Sequence, residues 1–220
     1  MVKAILCDID GTLVDSNHLH AKAWQDAFAG MNLDVSFEDA LAQIGKGGDQ
    51  LIPVFVPKYK VEAVQEPLEA YRKFIFQTDY LAQVKPFPNV RDLLLRLKEA
   101  GIRLSLASSA STEDLKTYKK IANMDDLIEQ SSSADDAKRS KPHPDIFSAT
   151  LKKLGIPADQ AMALGDTPYD AEAAGKCGLR TIGVTCGGWS AEELKKAGCI
   201  EVYRDVTDLL ERFDTSALMR

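Results

Sequence analysis

From residue 90 onward the sequence alternates between short apolar runs and longer amphipathic stretches. The apolar runs predict strands at residues 102–107, 127–130, 161–164, 180–185 and 199–203. The other stretches predict helices at residues 90–100, 145–154, 169–176, 191–197 and 206–213, and one more that begins near residue 112. Strands and helices that alternate in this way pack as a parallel sheet with helices on both faces. Ligands bind such sheets beyond the carboxyl ends of the strands, so polar residues there are the candidate functional residues.

One further strand is predicted near the start of the chain, at Ala4–Cys7, and two carboxylates follow it directly. Asp8 and Asp10 are separated by one residue, and alternate residues of an extended backbone point to the same face. Gly11 permits backbone conformations that a side chain hinders, and Thr12 adds a hydroxyl and an N–H group. Carboxylate oxygens suit Mg²⁺, and open backbone donors suit phosphate. The pattern therefore predicts a cation and phosphate site, although acids beside a glycine also occur in plain solvated turns.

The composition narrows the range of partners. The chain has 220 residues, enough for one domain or one domain with a small insertion, and its net charge is -6. Nucleic-acid binders usually have a basic face, so we expect no nucleic-acid partner. No apolar run approaches the roughly 20 residues of a membrane helix, and no signal-peptide pattern is present. The four cysteines are scattered, which predicts reduced thiols in a cytoplasmic protein.

The segment between the first strand and residue 84 has a helical pattern throughout. Helices are predicted from residue 15 to about residue 30 and at residues 37–44, 50–55 and 61–78. Pro53, Pro57 and Pro67 are expected to start or divide these helices. The proline-containing residues 84–90 mark a boundary. We therefore predict a helical domain at residues 16–84, inserted into a core formed by residues 1–15 and 85–220.

A glycine-rich turn, the string IGKGGDQL at residues 44–51, interrupts the helices of this insertion and contains Lys46. Glycines on both sides would let the backbone come close to a ligand, and the lysine could then reach into a cleft as a mobile charge. The alternative is an exposed lysine in a flexible connector, which is the ordinary position of a lysine.

Two polar clusters follow predicted strands or precede predicted helices in the core. Ser108 and Ser109 come after the strand at residues 102–107 and could bind a phosphoryl oxygen, or could form a helix cap. Lys141 lies between Ser140 and Pro142 in the string SKPHPDIF. Lysines before helices are usually exposed, but two prolines stiffen this backbone and would hold the charge at one position near Asp8.

The last cluster is the string GDTPYD, which places Asp166 at the end of a strand and Asp170 at the start of a helix. An acid in the first turn of a helix also complements the helix dipole, so Asp170 has a structural role available as well. Carboxylates gathered near Asp8 would repel one another unless a cation lay among them.

The strings DIDGTLVDS, LASSAS, SKPHPDIF and GDTPYD occur in this order along the chain. Together they resemble the four motifs of the haloacid dehalogenase superfamily, in its phosphohydrolase branch with a helical cap, near the beta-phosphoglucomutase and phosphoglycolate phosphatase enzymes. The resemblance covers residues 3 to about 188. It implies a Rossmann-like α/β core of three layers with strand order 3-2-1-4-5 and a small all-α cap inserted after the first strand.

The resemblance also implies a mechanism. Asp8 would be the nucleophile that forms an aspartyl-phosphate, and Asp10 the general acid and base. Mg²⁺ would be bound by Asp8, by the backbone carbonyl of Asp10 and by Asp166, with Asp170 beside them.

The remaining site residues are carried over in the same way. Ser108 and Lys141 would stabilise the developing charge, and Ser109 would be a weaker phosphate contact. The N–H groups from Asp10 to Thr12 would also hold this charge, with Gly11 and Thr12 as phosphate-binding residues. The substrate would be a small phosphorylated metabolite, and a monomer is the expected state.

Two other functions stay open. His20, in the string DSNHLHAKAW, resembles a histidine of the beta-phosphoglucomutase branch, so a phosphosugar mutase is the alternative to a phosphatase. A mutase also needs cationic groups in the inserted domain to bind a second phosphate, for which Lys46, Arg72 and Lys73 are available. The third possibility, a non-catalytic binding protein on the same fold, is disfavoured because every motif residue is present.

Overall fold

The apolar runs form the strands of an α/β fold in the computed structural model, which describes residues 2–220. The strands are β1 (Ala4–Cys7), β2 (Val14–Asp15), β3 (Lys85–Pro86), β4 (Arg103–Ala107), β5 (Gln130–Ser132), β6 (Ala161–Gly165), β7 (Arg180–Val184) and β8 (Cys199–Tyr203). The helices are α1 (Asn17–Gly30), α2 (Phe37–Leu41), α3 (Gly48–Phe55), α4 (Lys58–Ile75), α5 (Val90–Glu99), α6 (Thr112–Ile121), α7 (Asp145–Leu154), α8 (Pro168–Lys176), α9 (Ala191–Ala197) and α10 (Val206–Glu211).

Six of the strands form one parallel sheet in the order β5-β4-β1-β6-β7-β8. Numbered along the sheet-forming strands, this is 3-2-1-4-5 with a sixth strand added beyond the fifth. The predicted order is therefore confirmed for five strands. It did not include β8, which lies at the edge of the sheet beside β7. The third strand also lies slightly later than expected, at Gln130–Ser132 rather than residues 127–130. Leu127 precedes the strand and is buried, so this apolar residue packs in the core without belonging to the sheet.

Strand β1 is central and buried on both faces, as expected for a parallel sheet. Ile5 and Cys7 belong to an apolar cluster that includes residues of α5, α6 and α10. Ala4 and Leu6 belong to a second cluster with α7 and α8. Because successive strand residues point to opposite faces, this division separates two helical layers on either side of the sheet. The three-layer architecture is thus confirmed.

The chain leaves the sheet after β1 and returns through a short antiparallel pair, in which β2 lies beside β3. Between them lies the helical insert, defined here as residues 17–83, where α1 packs against α2 and α4. Its interior contains Trp24 and Phe28, whose ring centroids are 5.7 Å apart, and Phe55, 5.3 Å from Phe28. The division into a core of residues 1–15 and 85–220 and a helical domain of residues 16–84 stays a prediction.

The helices of the insert differ from the expected ones at their prolines. Pro57 directly precedes α4, as predicted, but Pro53 and Pro67 lie inside α3 and α4. A proline removes one backbone hydrogen bond from a helix. Both prolines are exposed, whereas Ile52 and Leu68, their neighbours, are buried, and this packing holds each helix through the interruption. Residues 76–80 continue α4 as a π-helical turn.

The four cysteines, Cys7, Cys177, Cys186 and Cys199, are free thiols. None of the helices in residues 2–220 is both long and apolar enough to cross a bilayer.

Candidate active site

The loop after β1 is tightly closed on itself. The N–H of Gly11, where φ is +78°, donates to the carbonyl of Val14 at 2.8 Å. The N–H of Thr12 donates to the carbonyl of Ile9 at 3.1 Å, and its hydroxyl donates to Asp166 at 2.7 Å. The N–H groups predicted to bind phosphate are therefore engaged within the loop, and that role of Gly11 and Thr12 stays a prediction.

Asp8 and Lys141 form a buried ion pair at the carboxyl end of β1. Lys141 Nζ lies 2.5 Å from Asp8 Oδ1 and 2.7 Å from Asp170 Oδ1. Only 1% of Lys141 is exposed, so the structure places this lysine in the interior rather than on the surface. Burial by itself lowers the pKa of Lys141, but the negative charges of Asp170 and Asp8 outweigh burial and raise the pKa above its ordinary value. The buried ammonium group of Lys141, in the third motif, thus connects Asp8 of the first motif with Asp170 of the fourth.

Three buried carboxylates, those of Asp8, Asp166 and Asp170, converge beside this lysine. One oxygen of each lies within 4.8 Å of the others. Burial raises the pKa of Asp8 to about 7 against the opposing effect of Lys141. Burial and the charges of Asp170 and Asp8 raise the pKa of Asp166 well above its usual range. Repulsion of this kind among oxygen ligands is relieved by a hard divalent cation, so the donor set suits Mg²⁺.

Asp10 belongs to a separate group on the side of the insert. Its Oδ1 accepts hydrogen bonds from Ser16 Oγ at 2.6 Å and from His20 Nε2 at 2.8 Å. Burial by itself raises the pKa of Asp10, but the contacts with His20 and Ser16 outweigh it and hold the pKa below its ordinary value. The Asp10 carboxylate thus bonds to Ser16 and His20 and does not belong to the three-carboxylate cluster, which is consistent with a cation contact through its backbone carbonyl only.

His20 is held from several sides. Its ring stacks on Phe76 with centroids 4.0 Å apart, and the hydroxyl of Tyr118 lies 3.1 Å from Nε2. Arg72 contacts Nδ1 through Nη2. A guanidinium can only donate, so Nδ1 accepts and the ring proton lies on Nε2, where it is donated to Asp10. Burial lowers the pKa of His20. Asp10 opposes this shift and Arg72 adds to it, and the net lowering of the pKa favours the neutral ring.

Arg72 is also packed between two aromatic rings of the insert. Its guanidinium carbon lies 5.3 Å from the Trp24 ring and 5.2 Å from the Phe76 ring. The sequence indicated Arg72 only as a cation available to bind a second phosphate. It gave no indication at all of Ser16 and Tyr118, because neither contact is visible without the tertiary structure.

The serines after β4 lie at the same edge of the sheet. Ser108 is buried, and its hydroxyl accepts the N–H of Ala110 at 3.1 Å. Ser109 is half-buried. Both line a cavity of about 310 Å³ between the core and the insert. A smaller cavity of about 110 Å³, which also includes Ser109 in its wall, reaches Asp8 and Asp10.

Lys46 lies on the wall of the smaller cavity, where the glycine-rich turn of the insert meets the core. Its Nζ lies 2.5 Å from Gln43 Oε1 and 4.6 Å from the centroid of the Tyr169 ring. Burial lowers the pKa of Lys46. The structure therefore brings Lys46 to the same cleft as the motif residues, where it lies over Tyr169 of the fourth motif but forms no ion pair with Asp8, Asp10, Asp166 or Asp170.

The glycine-rich turn is hydrogen-bonded to the third motif. The N–H of Gly47 donates to Ser140 Oγ at 2.8 Å, and the N–H of Ser140 donates to Asp49 Oδ2 at 3.1 Å. A further bond joins the Tyr169 hydroxyl to the carbonyl of Ala42 at 2.7 Å. These contacts close the insert over the carboxyl ends of the strands.

A parallel α/β sheet with acidic and cationic side chains at the carboxyl ends of its strands, covered by a helical insert, defines a class of enzymes. Residues 5–184 match the family described as haloacid dehalogenase-like hydrolase, and the chain belongs to that family.

Individual relatives agree with this assignment. The chain is 31% identical to a glyceraldehyde 3-phosphate phosphatase of Pyrococcus abyssi, over 83% of this chain and 81% of that one. It is 29% identical to a phosphoglycolate phosphatase of Aquifex aeolicus, over 82% of this chain and 83% of the relative. The crystal structure of a hydrolase from Pseudomonas syringae superposes with a TM-score of 0.85 at 28% identity, over 98% and 99% of the two chains. The predicted family and the predicted class of enzyme, a hydrolase with relatives named as phosphatases, are therefore confirmed.

Proposed function

We propose that the chain hydrolyses the phosphate monoester of a small metabolite in a Mg²⁺-dependent reaction that passes through an aspartyl-phosphate on Asp8. One observation carries the proposal: Asp8 lies at the end of the central strand, 2.5 Å from the buried Lys141 Nζ, with the carboxylates of Asp166 and Asp170 beside it. A carboxylate beside a fixed cation can approach a phosphate dianion that it would otherwise repel.

In the first step a carboxylate oxygen of Asp8 attacks phosphorus, and the bond from phosphorus to the ester oxygen breaks. Asp10 gives a proton to the leaving oxygen. In the second step Asp10 takes a proton from water, and the water oxygen attacks phosphorus. The bond from phosphorus to the Asp8 oxygen breaks, which releases inorganic phosphate and restores the Asp8 carboxylate. The hydrogen bonds from His20 and Ser16 keep Asp10 ionised, which suits the second step. An adjacent phosphate dianion would favour its protonation for the first.

The cation would be held by the carboxylates of Asp8, Asp166 and Asp170 and by the backbone carbonyl of Asp10. Bound there, Mg²⁺ would neutralise charge on the phosphoryl oxygens. Lys141 and Ser108 would hold the same oxygens by hydrogen bonds, with Ser109 as a further contact.

The helical insert would act as a cap that excludes water and contacts the leaving group. The cavity of about 110 Å³ at Asp8 and Asp10 shares wall residues such as Ser109 and Arg72 with the cavity of about 310 Å³, and together they suit a small metabolite. The relatives named for glyceraldehyde 3-phosphate and phosphoglycolate support substrates of this size. We infer further that the enzyme acts as a monomer in the cytoplasm, on free metabolites rather than on nucleic acid.

The test is release of inorganic phosphate by the purified chain from a panel of phosphorylated metabolites and an aryl phosphate, with Mg²⁺ or with a chelator. We expect release with Mg²⁺ and none with the chelator. Full activity of a protein shown by elemental analysis to contain no metal would overturn the metal assignment. No release from any phosphate monoester would overturn the phosphatase assignment.

A phosphosugar mutase is the second candidate, and the contact of His20 with both Asp10 and Arg72 favours it. A mutase returns the phosphoryl group from Asp8 to a second hydroxyl of the sugar instead of to water. Incubation with a hexose 1-phosphate and a trace of the bisphosphate separates the two. Isomeric hexose phosphate formed faster than free phosphate would identify a mutase.

A further inference from the structure

Asn17, the first residue of α1, is buried against the fourth motif. Its Nδ2 donates to Asp166 Oδ2 at 2.8 Å and to the carbonyl of Gly187 at 2.9 Å. Gly187 lies in the loop after β7. One side chain therefore joins the start of the helical insert to a carboxylate of the predicted cation site and to a neighbouring loop of the core.

The orientation of this amide follows from its partners. A carboxylate and a carbonyl can both only accept, so the NH₂ end of Asn17 must face them, and the reversed amide would place oxygen against oxygen. Asn17 Oδ1 is buried and has no donor among residues 2–220. The amide is thus held in place by its two N–H bonds.

The packing around the contact leaves little room for movement. A Cβ atom added to Gly187 would overlap Asp166 Oδ2, and one added to Gly11 would overlap both Asn17 and Asp166. Thr12 Oγ1 donates to the other oxygen of Asp166 at 2.7 Å. Each oxygen of this carboxylate consequently has one donor that sets its direction, and each keeps a lone pair for a cation.

We propose that Asn17 is a positioning residue for cation binding: its amide sets the orientation of the Asp166 carboxylate and couples the cation site to the first helix of the insert. The proposal rests on the proposed function only in taking Asp166 as a ligand of Mg²⁺. Groups that hydrogen-bond a metal ligand orient it, and their removal typically weakens metal binding by about 10- to 100-fold.

Loss of the amide would leave Asp166 Oδ2 without its donor and free to turn away from Asp8 and Asp170. Mg²⁺ binding would then include the entropic cost of ordering the Asp166 carboxylate, so the affinity of the site for Mg²⁺ falls. The chemistry at Asp8 is unchanged once the cation is bound. Asn17→Ala should accordingly raise the Mg²⁺ concentration needed for half-maximal activity, with kcat at saturating Mg²⁺ close to that of the wild type.

The experiment is calorimetric titration of Mg²⁺ alone into the wild type, Asn17→Ala and the control His18→Ala, without substrate. His18 is the exposed neighbour of Asn17 on α1. We expect Asn17→Ala to bind Mg²⁺ about ten-fold more weakly and His18→Ala to bind as the wild type does. If Asn17→Ala does not fold, Asn17→Ser, whose shorter side chain lacks the amide, is measured with the same expectation.

The outcomes are distinct from those of the proposed function. Equal Mg²⁺ affinity of the wild type and the Asn17 variant would overturn the positioning role and leave the phosphatase proposal intact. Absence of Mg²⁺ binding by the wild type would overturn both. A variant that binds Mg²⁺ normally but loses kcat at saturating Mg²⁺ would also contradict the proposal, since the defect would then lie in the chemistry.

Discussion

The two walls of the cleft hold their charged groups differently. On the core wall, Asp8 and Lys141 are buried and paired at the ends of strands and helices. On the wall formed by the insert, Lys46 is a half-buried side chain in a turn and lies over an aromatic ring. Arg72, on helix α4 of the same wall, is packed between two aromatic rings. A group held from all sides can act on a transition state, whereas a long side chain in a turn can adapt to a ligand. We therefore expect changes on the core wall to reduce kcat and changes on the insert wall to raise KM.

The largest effect is expected for Asp8→Asn, which removes the nucleophile from the core wall. An amide cannot form the aspartyl-phosphate, so kcat should fall by about 10³-fold or more with the fold retained. Steady-state phosphate release and circular dichroism measure the two properties. Asp15→Asn, at an exposed acid on β2, is the matched control and should behave as the wild type. A substantial fraction of wild-type turnover in Asp8→Asn would show that another residue is the nucleophile.

The second-largest loss in kcat is expected for Asp10→Asn, because this variant removes the proton donor but keeps the nucleophile. For a poor leaving group the loss in kcat should be about 10²- to 10⁴-fold, the usual contribution of general acid catalysis. An aryl phosphate with a good leaving group needs no such proton, so phosphorylation of Asp8 by it should be affected much less. The rates of phosphorylation with the two substrates, measured in single turnovers, provide the comparison. Equal losses for both would argue against the general-acid role.

Lys46→Ala tests the insert wall and should act mainly on KM. Loss of one charged contact worth about 1 kcal/mol corresponds to about a five-fold rise in KM for the natural substrate. A small aryl phosphate makes few contacts with the insert, so its KM should change less. Lys58→Ala, at an exposed lysine at the start of α4, is the control. If kinetics on the best substrate are unchanged, the glycine-rich turn is a simple connector.

The smallest effect is expected for Ser140→Ala, which removes two of the hydrogen bonds between the two walls. The variant removes the acceptor of the Gly47 N–H and a hydroxyl that contacts Asp49. Two hydrogen bonds of this kind contribute about 1–2 kcal/mol to the free energy of unfolding. Urea denaturation of this variant beside Ser148→Ala, an exposed control, measures the loss. Stability equal to that of the control would mean that Ser140 does not hold the insert closed.

The sequence by itself determined the sheet and the set of motif residues. Buried strands such as β1 and β6 appear as apolar runs because both of their faces are covered, and the acids that follow them lie at one edge because the strands are parallel. Local patterns of this kind predict the strands and mark Asp8, Lys141 and Asp166 as candidate site residues. The order of five strands and the roles of these residues came from the resemblance of the four motifs to a known family.

Only the tertiary structure decided which side chains meet. Arg72 contacts His20 and Tyr118 approaches it across 52 and 98 residues of sequence, and Asn17 contacts Asp166 across 149. No periodicity or spacing in the chain indicates such pairs, because they depend on how the insert closes over the core. Tertiary packing also explains why Pro67 stays within a helix. The burial of Leu68 and Ile75 outweighs the local tendency of a proline to interrupt a helix.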